Sequence, residues 1–228
     1  MNFLDLCRKT AKLSGTLGDG VPASVVGQTG RVALIVQLVA DAWVTVQNAR
    51  PDWLWRRAAF EKPLPPGTPA VTAAGLALDR FGAWLTPRPD WYVWREADGP
   101  DSAARVIFLP WTAFSDRYGH PAARPGPVRH MTVRPGDRAL MAGPVPDAPH
   151  RLRGHYVKSP QVLAGNADTP DLPAHHHDVI VDTALRMLHA YDEADFRLAV
   201  SERDVAARMA ALVHEQVETP YLAVEPIA

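Results

Sequence analysis

Between Val32 and Val46 the apolar side chains fall three and four apart: Val32, Ile35, Val39, Ala42, Trp43 and Val46. That period predicts a helix over roughly residues 29–49, with Thr29 as its N-cap. Arg50-Pro51 ends it, because proline has no amide to donate and drives its predecessor out of the α region. A shorter helix over 2–13 is predicted upstream, with Asn2 as cap and Phe3, Leu6, Cys7, Thr10 and Leu13 on one face. The helical period returns near the other end. Residues 174–191 place Ile180, Ala184, Met187, Leu188 and Tyr191 on one side. After a break at Asp192–Asp195, residues 196–217 are predicted to bury Val205, Met209, Leu212, Val213 and Val217.

The middle of the chain has a different rhythm. Aromatic enrichment predicts a strand from Trp53 to Phe60, with Trp53 and Trp55 on one face and Leu54 opposite. Pro63 to Pro69 reads as a semi-rigid extended segment. Residues 90–95 and 105–109 flank a loop holding Asp98-Gly99 and are expected to pair as a hairpin. Residues 111–118 form a turn or two of helix, residues 129–133 and 139–142 sit either side of Pro135-Gly136-Asp137, and residues 151–159 are the last strand. The expected sheet is antiparallel, with about four or five strands. The class is α+β: a helical bundle from the N- and C-terminal helices (1–50 and 171–218), a β-rich insertion (51–170) and a C-terminal tail (219–228).

Composition narrows the function. The 228 residues are 47% hydrophobic and 21% charged, ordinary values for a globular chain with a real core. The formal net charge of −1 argues against an unspecific grip on nucleic acid, which needs a basic excess. Cys7 is the single cysteine, so no internal disulfide forms and a cysteine-rich zinc site is excluded. No run approaches the roughly 20 apolar residues that span a bilayer. The opening residues are amphipathic and carry Asp5, unlike a secretion signal. A chain made in the cytoplasm, without a membrane partner, is expected. Charge is unevenly spread, however. Residues 104–158 hold nine Arg and Lys against three Asp, while residues 171–220 hold four Arg against ten Asp and Glu.

Catalytic chemistry finds little support. There is no G-x-S-x-G, and Cys7 lies on the apolar stripe of the first helix. Gly15-Thr16-Leu17-Gly18-Asp19-Gly20 lacks the Lys-Ser/Thr of a phosphate-binding loop and follows a helix instead of a strand. His175-His176-His177 with Asp178 is the strongest candidate metal set. Neighbouring helical residues point about 100° apart, so at most two of these histidines share an ion. Within the helix only His175 and Asp178 stand at a ligand spacing. A hydrolase built on His175, Asp178 and a distant His189 or His214 is therefore the alternative. A polar first helical turn, with Asp178 and Asp182 at the positive end of the dipole, is the plainer reading. No catalytic residue, metal ligand or cofactor is assigned.

Several motifs together carry a resemblance. They are Gly27-Gln28-Thr29-Gly30, the helical Asp41-Ala42-Trp43 with Val46-Gln47, and Pro51-Asp52-Trp53-Leu54-Trp55-Arg56-Arg57 leading to Phe60. Met1 to Cys7, Gly143 to Asp147, Tyr156 to Leu163 and Asp168 to His175 continue the pattern in order. The chain resembles the head-to-tail adaptor (connector) proteins of tailed bacteriophages. The resemblance implies a structural virion protein of the neck. It would form a ring of roughly twelve subunits beneath the portal protein, join a downstream tail or neck protein and let genomic DNA pass through its channel. A tail-completion or stopper protein is the neighbouring alternative. The tail Thr219–Ala228, with Tyr221, Leu222, Val224 and Ile227 as apolar anchors, would reach the portal. Subunit contacts are expected at Trp53 and Trp55 and between basic Arg129, Arg134, Arg151 and Arg153 and acidic Asp195, Glu202 and Asp204. The 63–89 segment departs most from the family pattern.

Overall fold

A computed structural model describes residues 1–15, 21–87, 90–120 and 124–216. Among them lie five α-helices and two small β-sheets, so the protein is mixed α+β. The chain divides into two compact units, one from residues 1–56 with residue 160 onward, the other Arg57–Ser159.

In the first unit, α1 (Phe3–Leu13) starts where Asn2 leaves the helical region, and its side chain accepts a hydrogen bond from the Asp5 amide at 2.8 Å. Asp5 returns the bond to the Asn2 amide, completing a capping box. Phe3, Leu6, Cys7 and Thr10 are buried as the period predicts, but Leu13 is 57% exposed, since it sits in the last turn beyond the packed stripe. α2 (Gly30–Asn48) buries every residue of its apolar set; Thr29 occupies the N-cap position without a side-chain capping bond. Phe3, Leu6, Ile35, Val39, Trp43 and Val46 share one core with Ile180, Ala184 and Leu188 of α4 (Asp178–Tyr191). α4 touches α1, α2 and α5 (Asp195–Gln216), so it is the axis of this unit.

Three further expectations for this unit change. Trp53 to Arg56 is not strand: a short 3-10 turn covers Leu54–Arg56, and the strand begins only at Arg57. The cause lies in the end of α2. Its last carbonyls lack helical partners, and the Trp53 indole turns in to donate to the Val46 carbonyl at 3.2 Å. Second, Tyr191 is 66% exposed at the end of α4. Third, α5 buries only Ser201 and Leu212 among the described side chains; Val205, Met209 and Val213 are half-buried, because α5 packs chiefly against the one helix α4. Val217 lies outside the described residues.

In the second unit, the long hairpin-like pair β1 (Arg57–Leu64) and β9 (His150–Lys158) is antiparallel with Phe60 opposite Gly154. β4 (Tyr92–Arg95) lies on the other side of β9, β5 (Ala104–Arg105) pairs with β4, and β3 (Phe81–Trp84) also pairs with β9. The second sheet runs β2 (Ala70–Val71), β8 (Leu140–Gly143), β7 (His130–Val133), β6 (Ile107–Phe108), and α3 (Trp111–Tyr118) follows β6. The single antiparallel sheet of the sequence reading is thus two sheets, and β6 and β7 are parallel. The division occurs at buried Val106. Its amide donates to the Trp91 carbonyl at 2.9 Å, and the next amide, of Ile107, crosses to Arg129 at 3.0 Å. Residues 105–109 therefore serve both sheets, and only Ala104–Arg105 form the expected hairpin partner of β4. Pro63 is tolerated inside β1 because β1 is an edge strand.

Candidate interaction surfaces and a histidine–carboxylate cluster

The proposed contact residues fall into three groups. Trp53 is a core side chain with no exposed surface, so it presents nothing to a neighbour. Half-buried Trp55 stacks on it at 6.0 Å and on Trp43 at 5.2 Å, which makes the pair an aromatic plug under α2. Among the arginines, Arg134 is held by Asp137 three residues on, and Arg151 by Glu61 at 3.0 Å. The Arg134 guanidinium holds the Asp137 carboxyl down to about 2. Arg129 and Arg153 are exposed and make no ion pair among the described residues.

On the acidic side, Glu202 and Asp204 are exposed on α5, and Asp195 is its first residue, with a side chain outside the description. Asp204 stands near Asp182, whose carboxyl is raised by burial and by its carboxylate neighbours Asp178 and Asp204, against the Arg208 guanidinium that pairs with it. The anchors Tyr221, Leu222, Val224 and Ile227 lie outside the described residues.

An apolar edge that periodicity did not single out runs beside these acids. Phe196 is 84% and Val200 47% exposed, and with Leu13 and Leu185 they line one groove, rimmed by Asp182 and Asp204. The signal was present in the sequence: Phe196 and Val200 are four apart at the start of α5, outside the stripe assigned to the core.

The histidine triplet is divided. His177 is buried; its Nε2 lies 2.9 Å from the Leu172 carbonyl and its Nδ1 2.8 Å from the Met1 ammonium, so Nε2 donates and Nδ1 accepts. Burial, the largest influence, lowers its pKa and keeps the ring neutral. Asp178 is engaged by Lys9 at 2.6 Å, and His189 by the Ser201 hydroxyl at 2.7 Å. His214 is exposed on α5. The hydrolase set His175, Asp178 and His189 or His214 is therefore not assembled, because three of its members have other fixed partners or face solvent. His175 and His176 instead converge on Glu215, each with Nε2 at 2.9 Å from Oε2. The two imidazoles hold the Glu215 carboxyl down to about 2. Cys7 is fully buried, with its thiol pushed up to about 12, and offers no nucleophile.

The motifs that carried the family resemblance have structural work in this unit. Gln47 is buried, its amide pairing with Gln161 in both directions at 2.9 and 2.6 Å. Asn166 accepts from the Val25 amide at 2.7 Å, and the Asp168 carboxylate accepts from the Ala164 and Gly165 amides. The first two fasten residues 160–170 to α2 and to the loop before it, the third closes a turn among them, and none contributes a reacting group. Among the described residues no helix is long and apolar enough to cross a membrane.

No curated protein matches the chain. A family model described as "SU10 adaptor protein" matches residues 1–224, nearly the full length. The chain belongs to the SU10 adaptor protein family.

Proposed function

We propose that this phage adaptor protein assembles into a ring of about twelve copies under the portal, joins it to the next protein of the neck or tail, and leaves a channel for DNA. In this reading the helices of both chain ends form the ring-building bundle, and the β-rich segment between them is an insertion that contacts neighbours. The observation that carries the ring is the exposed apolar edge of α5, where Phe196 and Val200 face solvent beside Leu13. Contiguous apolar surface of this kind marks interaction sites, and an identical neighbour is always at hand in a ring. Around that edge, Glu202 and Asp204 supply negative charge, while Arg129 and Arg153 of the other unit are exposed and supply positive charge with no ion pair among the described residues. A heterologous contact pairing the two closes on itself when the rotation fits, and its charges set register and encounter rate. The tail Thr219–Ala228 gives the portal its handle.

Phe196→Asp tests the ring. Burying a phenylalanine contributes about 2–3 kcal/mol per contact, so the variant should occupy portal rings at least tenfold more weakly in mass photometry, with an unchanged circular dichroism spectrum. Assembly equal to wild type would remove this edge from the subunit contact.

A further inference from the structure

Three donor atoms from distant parts of the sequence meet at one point on the helical unit. His175 and His176 belong to the 3-10 turn Ala174–His176, and Glu215 to the last turn of α5, 40 residues beyond His175. On an α-helix adjacent side chains diverge by about 100°. Here the tight turn sets the two rings 4.3 Å apart, with both Nε2 atoms on the same carboxylate. All three donors lie within 4.8 Å of one another. No Lys or Arg pairs with Glu215 among the described residues; its carboxylate meets the two imidazoles and also accepts from the Gln216 side-chain amide at 3.0 Å.

Hydrogen bonding by itself gives this arrangement little value, because exposed pairs of this kind contribute at most about 1 kcal/mol. As ligands the same groups are well placed. Zinc bonds of 2.0–2.1 Å to nitrogen and oxygen put tetrahedral ligand atoms about 3.3 Å apart. The nitrogens stand 2.9 Å from the nearer Glu215 oxygen, so small side-chain rotations admit an ion. Two imidazoles and one carboxylate, without thiolate, favour borderline ions such as zinc, nickel or copper over calcium or magnesium. His175 and Glu215 are exposed, leaving the ion an open side for water.

We propose that His175, His176 and Glu215 bind one divalent transition-metal ion, zinc in the first instance. The ion clips the end of α5 to the turn that precedes α4. Its value for presenting the C-terminal residues to a portal rests on the proposed adaptor role; the binding itself does not.

The test uses the untagged full-length chain, stripped with a chelator and titrated with zinc against a chromophoric competitor at pH 7.5. One zinc per chain is expected, with a rise in melting temperature. His175→Gln and Glu215→Gln should each weaken zinc at least tenfold and abolish that rise, while His214→Gln leaves both unchanged. The metal-free melting temperature of each variant should match wild type, as the sites are exposed. Absence of zinc binding, or affinity unchanged in both cluster variants, overturns the site. Portal attachment is not read in this titration, so that failure would leave the adaptor role standing.

Discussion

Single residues decide how tightly the β-rich unit packs. Gly154 faces the Trp91 ring from β9, and a β-carbon there would lie 2.4 Å from two ring atoms. Neither the ring nor the strand can give way easily, since Trp91 also packs edge-on against Phe60 at 5.5 Å and donates to the Leu85 carbonyl at 3.0 Å. Gly154→Ala should therefore cost about 1–3 kcal/mol from overpacking, read as a lowered urea midpoint at unchanged slope. A second residue sets a pH response. His130 receives the Tyr118 hydroxyl at 2.7 Å from its Nδ1, and burial first, then the Arg117 and Arg129 charges, lower its pKa below 6.5. The unfolded chain then binds the proton more readily. The His130 contribution is complete above pH 6.5 and is lost as pH falls through the folded value. Urea midpoints from pH 7 to pH 5 should decline less steeply in His130→Gln than in wild type; equal slopes would remove this assignment. The sign is the same for buried His177, which remains in both proteins.

Elements show which signals the linear chain carries. Asn2 three before Asp5, and the stripe from Val32 to Val46, are local patterns, and both are realised as a capping box and a buried face. Trp53-Leu54-Trp55 misleads because aromatic β-propensity reflects packing, and here packing under α2 takes the residues into a 3-10 turn. The switch between sheets at Val106 has no glycine or proline to announce it; only the later partners Trp91 and Arg129 define it. Likewise Glu215 meets His175 across a hairpin of helices, a pairing that spacing within one helix does not contain. α5 is the element with most still to bury. Removing Thr219–Ala228 beyond it should leave circular dichroism and melting temperature as they are, and should abolish co-sedimentation with portal rings. Undiminished co-sedimentation would assign portal binding to another part of the chain.

At the scale of the molecule, a near-neutral chain is divided into a basic β-rich stretch and an acidic helical one. The proposed self-assembly would account for the division, with each copy carrying both halves of a charge-complementary contact. Near-zero net charge would also suit the proposed DNA channel, since unspecific affinity grows with each phosphate neutralised. Family membership over residues 1–224 establishes an adaptor, and the ring is the step that needs direct measurement. Purified portal rings mixed with an excess of this chain and imaged by cryo-electron microscopy provide it. The account predicts a closed ring of about twelve copies on one end of the portal, with the α5 edge of each copy, including Phe196, against its neighbour. Isolated copies without mutual contact, or portals left bare at saturating protein, would contradict it.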